Sequence, residues 1–160
     1  MSSTLIITAV ENLQEEVNRA VGSLDSLIGV YVSLNKTHKS IEKSLRQSRV
    51  KTDKLFFIDC VNSQLGDKDV IYISPTNLEK LSSAIKEFIS EIPGRKFLII
   101  DALSTFLIYN DENKVAKFVK EIIEYSAEKE VEVIALSPKT KGEELLDKIF
   151  NFFDKVKKTK

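Results

Sequence analysis

Runs of β-branched and aromatic residues recur along this chain with amphipathic stretches between them, and that alternation leaves few folds open. A strand covered on both faces reads as an unbroken apolar run, whereas a helix docked on a sheet shows an apolar stripe about every 3.6 residues. Strand-type runs fall at residues 5–10, 30–34, 55–61, 70–74, 97–103 and 131–137, the fourth as a short edge strand. Such βα units build an α/β fold, a three-layer α/β/α domain around a mostly parallel sheet. The 160 residues, 42% of them hydrophobic, suffice for a single domain over residues 1–160 and are too few for two.

Between the strands, Leu13, Val17, Ala20, Val21 and Leu24 mark a first helix, and Ile41 with Leu45 a shorter second one. Leu78, Leu81, Ile85, Phe88, Ile89 and Ile92 form a third stripe. Thr76, with Glu79 three residues on, is placed to cap it, and Pro93-Gly94 to stop it. Val115, Phe118, Val119, Ile122 and Ile123 follow Asn110, with Asp111 and Glu112 in the first turn, where carboxylates suit the helix dipole. The last stripe reads as one helix over 143–158 that seals the sheet. It is wider than one docking face needs, so Phe150, Phe152 and Phe153 predict an apolar surface for self-association or a protein partner.

Lys plus Arg and Asp plus Glu both number 24, so net charge gives no reason to expect nucleic acid or an anionic membrane as partner. The cluster Lys155, Lys157, Lys158 and Lys160 reads as a solvated helix end. A single cysteine, Cys60, excludes an intrachain disulfide and a Cys/His zinc set, and reads as a small buried apolar residue. No apolar run approaches the ~20 residues of a membrane span. Met1-Ser2-Ser3-Thr4-Leu5 lacks the basic start and long apolar core of a secretory signal, so a cytoplasmic location is expected. Richness in Lys and Glu without tryptophan is common in heat-adapted proteins.

Chemistry is expected where strands end and helices begin, because helix N–H groups and dipoles face that crevice. The loops concerned are 11–12, 35–39, 61–64, 104–110 and 137–141. They carry Asn35, Thr37, His38, Ser104, Thr105, Ser137, Lys139 and Thr140, beside Asp101 at a strand end. In Phe97-Leu98-Ile99-Ile100-Asp101-Ala102-Leu103-Ser104-Thr105 an apolar strand delivers a lone carboxylate to a turn of small residues. Asp101 reads either as accepting hydrogen bonds from Ser104 or Thr105 or as a magnesium-side carboxylate. His38, the sole histidine, reads as an exposed, incidental residue of a helix first turn.

Taken in order, residues 5–10, Gly29 to Asn35, 55–59, the Phe97 to Thr105 segment and 131–137 resemble the RecA-like, more narrowly KaiC-like, branch of P-loop ATPase domains. The resemblance implies that the 131–137 strand lies between the first strand and the Phe97 strand, whose other side is flanked by the 30–34 strand. It places Asp101 at the Walker B position, with Asn35, Ser104 and Thr105 around a vestigial nucleotide site. The departures bear on mechanism. Where a phosphate loop needs glycines and a lysine, the chain has Glu11-Asn12-Leu13-Gln14-Glu15-Glu16-Val17. Where the family tends to place a water-orienting glutamate, it has Ser33-Leu34-Asn35. It is also expected to end before the outer strand the family adds beside the phosphate-loop strand. The expectation is a non-hydrolysing module, not an enzyme, with no cofactor or metal, acting in assembly or signalling. Two alternatives stay open: a receiver-like phosphoacceptor domain with Asp59 as acceptor and Lys139 as its basic partner, and a nucleotide-binding enzyme with a different phosphate site, sought first at Lys139 and Lys141.

Overall fold

The apolar runs form the strands of one sheet in the computed structural model, which describes residues 1–61, 70–139 and 142–159. The elements in chain order are β1 (Ser3–Thr8), α1 (Leu13–Leu24), β2 (Ile28–Ser33), α2 (His38–Gln47), β3 (Leu55–Asp59), β4 (Val70–Tyr72), α3 (Leu78–Glu91), β5 (Lys96–Asp101), α4 (Glu112–Ala127), β6 (Val131–Pro138), α5 (Glu143–Ile149) and β7 (Lys155–Lys158). Short 3-10 turns at Val10–Asn12, Leu103–Ile108 and Phe150–Phe152 join some of them. The order across the sheet is β4-β3-β2-β5-β6-β1-β7, and every pairing is parallel. As expected, β6 lies between β1 and β5, and β2 flanks β5 on its other side.

The helices sort to the two faces by the stripes that define them. Val17, Ala20 and Val21 of α1, with Ile41 and Leu45 of α2, pack on Ile6, Tyr31, Phe57, Ile99 and Leu136. On the other face α3, α4 and α5 contribute Leu81, Ile85, Val119, Ile122 and Leu145 against Leu5, Val32, Leu98 and Ile100. The result is a three-layer α/β/α fold. Gly29 has a packing reason: it pairs with Phe97 across β2 and β5, and a Cβ there would lie 2.1 Å from the Phe97 ring. Among the described residues no helix is long and apolar enough to cross a membrane.

Three local expectations are corrected. The cap of α3 is Asn77, whose side chain accepts from the Lys80 N–H at 3.0 Å, because the Thr76 hydroxyl is engaged with Ser74 at 2.7 Å. The cap of α4 is Asp111, which accepts from Asn113 and Lys114; Asn110 instead donates to the Pro75 and Phe106 carbonyls. The third concerns the C-terminal stripe, which is not one helix. After Ile149 it tightens into a 3-10 turn, becomes extended at Phe153 (φ −93°, ψ 145°), and β7 then runs parallel to β1. The outer strand expected to be missing is therefore present, and Lys155, Lys157 and Lys158 lie on a sheet edge rather than a helix end; Lys160 is outside the described residues. Phe153 is buried, and Phe150 and Phe152 are partly buried against the same core. The excess of aromatic residues is thus largely used internally.

Candidate functional site

Parallel register aligns the last residues of three neighbouring strands. Ser33 pairs with Asp59 on one side and with Asp101 on the other. Side chains alternate along a strand, so these three share a face with Tyr31, Phe57 and Ile99, two residues earlier. That is the face covered by α1 and α2. A row of carboxylate, hydroxyl and carboxylate therefore lies at the carboxyl rim of the sheet, fully or almost fully buried.

The two carboxylates have different surroundings. Asp59 Oδ2 accepts the His38 backbone N–H at 3.2 Å and lies 2.9 Å from His38 Nδ1, while Oδ1 accepts the Val61 N–H at 2.7 Å. It anchors the start of α2, and His38 is buried with it, contrary to the exposed position expected. Asp101 Oδ2 accepts from the Tyr31 hydroxyl at 2.7 Å, whereas Oδ1 is one of four buried side-chain polar atoms without a hydrogen-bond partner among the described residues. Ser33 Oγ and Ser137 Oγ are two others, on the strands either side of β5. Burial holds the Asp101 carboxyl above its ordinary value, against the opposing effects of the Tyr31 hydrogen bond and the charge of Lys36. Tyr31 is pushed well above its own by burial and by Asp101.

The expected partners of Asp101 thus give way to Tyr31. Thr105 Oγ1 bonds Asn35 Oδ1 instead, tying the loop after β5 to the loop after β2. Ser104 packs against Gly142, where a Cβ would come within 3.4 Å of Ser104 Cβ. Asn35 and Thr105 are brought together, and Asp101 is buried with its side chain on Tyr31 and its carbonyl accepting the Leu34 N–H at 2.8 Å. Sequence reasoning missed Tyr31 and Lys36. The first was legible as an aromatic two residues before the strand end, on the same face as Ser33. Lys36 donates to Gln14 at 3.1 Å, reaching from the β2–α2 loop to the first turn of α1.

Between β1 and α1 the backbone closes on itself. The Asn12 N–H bonds the Ala9 carbonyl at 3.0 Å, and the Leu13 N–H bonds that of Val10. Of the carboxylates here, Glu11 and Glu15 are exposed, while Glu16 is buried between Arg19 at 2.7 Å and Lys157 at 3.7 Å. Cys60 is buried, and its thiol is pushed up to about 12 by burial and the charge of Asp59, so it is no nucleophile at neutral pH. Among the described residues no group of three or more His, Cys, Asp or Glu side chains could hold a metal ion. Gln64, Thr140 and Lys141, counted among the candidate loops, lie outside the described residues.

The receiver-like alternative does not fit this geometry. Asp59 is 0% exposed and fully engaged, and β3 is separated from β6, which leads to Lys139, by β2 and β5. Three strand spacings of roughly 4.8 Å keep that lysine's backbone about 14 Å from the acceptor.

The strand order and the carboxylate at the end of β5 define a RecA-like α/β domain. The chain belongs to the family described as a family of unknown function, DUF7090, whose model matches residues 15–160. It is similar to the KaiC-like protein PH0186 from the hyperthermophilic archaeon Pyrococcus horikoshii OT3, with a TM-score of 0.69 and 12% identity over 97% of this chain and 69% of that one. It is similar also to the uncharacterized protein PH0321 from Pyrococcus horikoshii, solved in complex with an unknown peptide (TM-score 0.74, 14% identity, 99% of this chain and 78% of that one). A third, PH0250 from Pyrococcus horikoshii OT3, gives a TM-score of 0.69 at 11% identity, covering 99% and 82%. No curated protein matches it. At these identities the likeness is one of fold.

Substituting Asp101 separates its cost from its fold. A carboxyl whose folded pKa is raised binds a proton more tightly folded than unfolded. Stability therefore falls as pH rises from about 3.8 through the folded value, and above that the full penalty of a buried charge stands. Asp101→Asn keeps an acceptor for Tyr31 and removes the charge. The variant is expected to be more stable than wild type at pH 7, with the advantage vanishing toward pH 3.5 in urea unfolding. An equal or lower stability at pH 7 would show that the carboxylate is satisfied.

Proposed function

We propose that this chain is a non-hydrolysing RecA-like module, a pseudo-ATPase that works in protein assembly or signalling and is not an enzyme. The β1–α1 connection carries the reading. A phosphate loop presents consecutive free backbone N–H groups and a lysine to the phosphates. Here the corresponding N–H groups of Asn12 and Leu13 are used within a 3-10 turn that carries Glu11. Asn35 stands where a water-orienting glutamate would be needed, and Asp101 is buried beneath a tyrosine instead of open to a bridging ion. Since positioning and charge stabilisation supply nearly all of phosphoryl-transfer catalysis, little is left to accelerate hydrolysis. A protein-facing role is supported by apolar side chains at the carboxyl rim: Val10, Val61, Ile108 and Tyr109 are 56%, 42%, 74% and 50% exposed. A peptide-bound neighbour of the same fold agrees with that direction.

Titration with ATP and magnesium is the test. The expected result is no rise in melting temperature, which binding to the native state alone would produce, and no phosphate release above background. Magnesium-dependent turnover abolished by Asp101→Asn would overturn the reading. A melting shift lost in Lys36→Ala would instead favour nucleotide held at the carboxyl rim by a phosphate contact outside the β1–α1 connection, since Lys36 is the amine whose charge acts on Asp101.

A further inference from the structure

The sheet ends at β7, and all four of its residues are exposed. The Thr159 N–H bonds the Ile7 carbonyl of β1 at 2.9 Å. By the two-residue alternation of a strand, Lys155 and Lys157 also turn their backbone groups toward β1, and Val156 and Lys158 turn theirs outward. Nothing among the described residues pairs with that outer edge. An open edge with free N–H and C=O groups is a template for another strand.

Register fixes what an added strand would meet. Val156 and Lys158 lie opposite Leu5 and Ile7, on the face of α5; Lys155 and Lys157 lie opposite Thr4 and Ile6, on the face of α1. On the α5 side, Val156 (39% exposed), Phe150 and Lys158 line a surface hollow of about 390 Å³. It continues past Phe150 and Leu146 into a second hollow of about 450 Å³ bordered by Lys139, Glu143 and Asp147. One side of the edge is thus an apolar shelf at Val156 and Phe150 with charges of both signs beyond it, and the other is a pair of lysines, of which Lys157 also lies 3.7 Å from Glu16.

We propose that β7 is the docking edge for an extended segment of a partner protein in which acidic and apolar residues alternate, the acidic ones facing Lys155 and Lys157 and the apolar ones lying on Val156 and Phe150. The inference rests on the function proposed above only in taking a protein as partner. Charge complementarity selects this occupant over a second copy. Two β7 strands would bring three lysines against three, and like charges across an edge are costly. The opposite sheet edge, Val70–Tyr72, offers no carboxylate in the strand to answer them.

The test is fluorescence anisotropy with a labelled octapeptide alternating glutamate and valine, against a lysine–valine octapeptide and one carrying the same glutamates and valines as two blocks. The alternating acidic peptide is expected to bind, and the other two much more weakly. Lys155→Glu/Lys157→Glu is expected to weaken binding by about tenfold or more, and Lys155→Gln/Lys157→Gln by less. Both pairs are exposed, and thermal melts serve as the check that they fold. Binding should shift the amide resonances of Val156 and Lys158. No binding at millimolar peptide, equal affinity for the block peptide, or shifts confined to Lys39, Lys43 and Arg46 on α2 would overturn the proposal. A nucleotide-induced melting shift with the peptide result unchanged would remove the pseudo-ATPase reading alone.

Discussion

Asp59→Ala is expected to lower stability by about 3–5 kcal/mol, the range found when one member of a buried, hydrogen-bonded pair is removed. The carboxylate is 0% exposed and serves three donors: the His38 and Val61 backbone N–H groups and the His38 ring. Alanine strands all of them where water does not reach, at about 1–3 kcal/mol for each unsatisfied group. For a chain of this length ~1 kcal/mol corresponds to about 2–4 °C in melting temperature, so a fall of roughly 6–20 °C is expected. Typical total stability is about 5–15 kcal/mol, so the variant should sit near the folding threshold. Urea unfolding of Asp59→Ala, His38→Ala and the double variant checks it. The double variant should be less destabilised than the sum, because removing His38 takes away the ring that Asp59 would leave unpaired. Additive losses, or a loss under about 1 kcal/mol for Asp59→Ala, would show the pair to be solvated.

The same pair shows what the sequence could and could not convey. The strand positions followed from apolar runs, since a strand covered on both faces has no polar positions to mislead, and their order across the sheet from the resemblance to the RecA-like series. His38 was misplaced because its burial depends on Asp59, 21 residues away at the end of the next strand. The Tyr31–Asp101 bond spans 70 residues, and nothing in either segment alone marks it. Ser104 and Thr105, being close in sequence, were the natural partners to infer for Asp101. The C-terminal stripe misled for a related reason. Phe150 and Phe153 are three residues apart and suit a helix, yet the chain extends there. Asp154 accepts the Ser3 N–H at 3.0 Å and donates its own N–H to Ser3 Oγ at 3.0 Å, and β7 then pairs with β1. Those contacts cross 151 residues and outweigh the local preference for helix, which is worth a few tenths of a kcal/mol per residue. Where local signals were short-range and unopposed, as at the Pro93-Gly94 stop, the positions held; Gly94 takes φ +72° just after α3.

Phe106→Ala is expected to cost about 3–5 kcal/mol, the usual range for a fully buried phenylalanine, and its effect should be felt first at the candidate site. The ring is 0% exposed and stands edge-on to Phe118 of α4, with centroids 5.3 Å apart, a geometry worth about 0.5–1.5 kcal/mol beyond the area buried. Its carbonyl accepts the Tyr109 and Asn110 N–H groups and the Asn110 side chain. The ring therefore fixes the 3-10 turn that holds Thr105 against Asn35 and Ser104 against Gly142. Removing it should loosen residues 103–110 before the sheet yields. Native-state amide exchange is then expected to quicken in this turn by more than in β5, alongside the drop in urea midpoint. Thr105→Val serves as the contrast: it breaks only the half-exposed bond to Asn35 and is expected to cost about 1 kcal/mol or less. If Phe106→Ala lowers global stability while exchange in residues 103–110 keeps step with β5, the turn unfolds only with the sheet. The carboxyl rim would then be a rigid extension of the core rather than a loop held down by one ring.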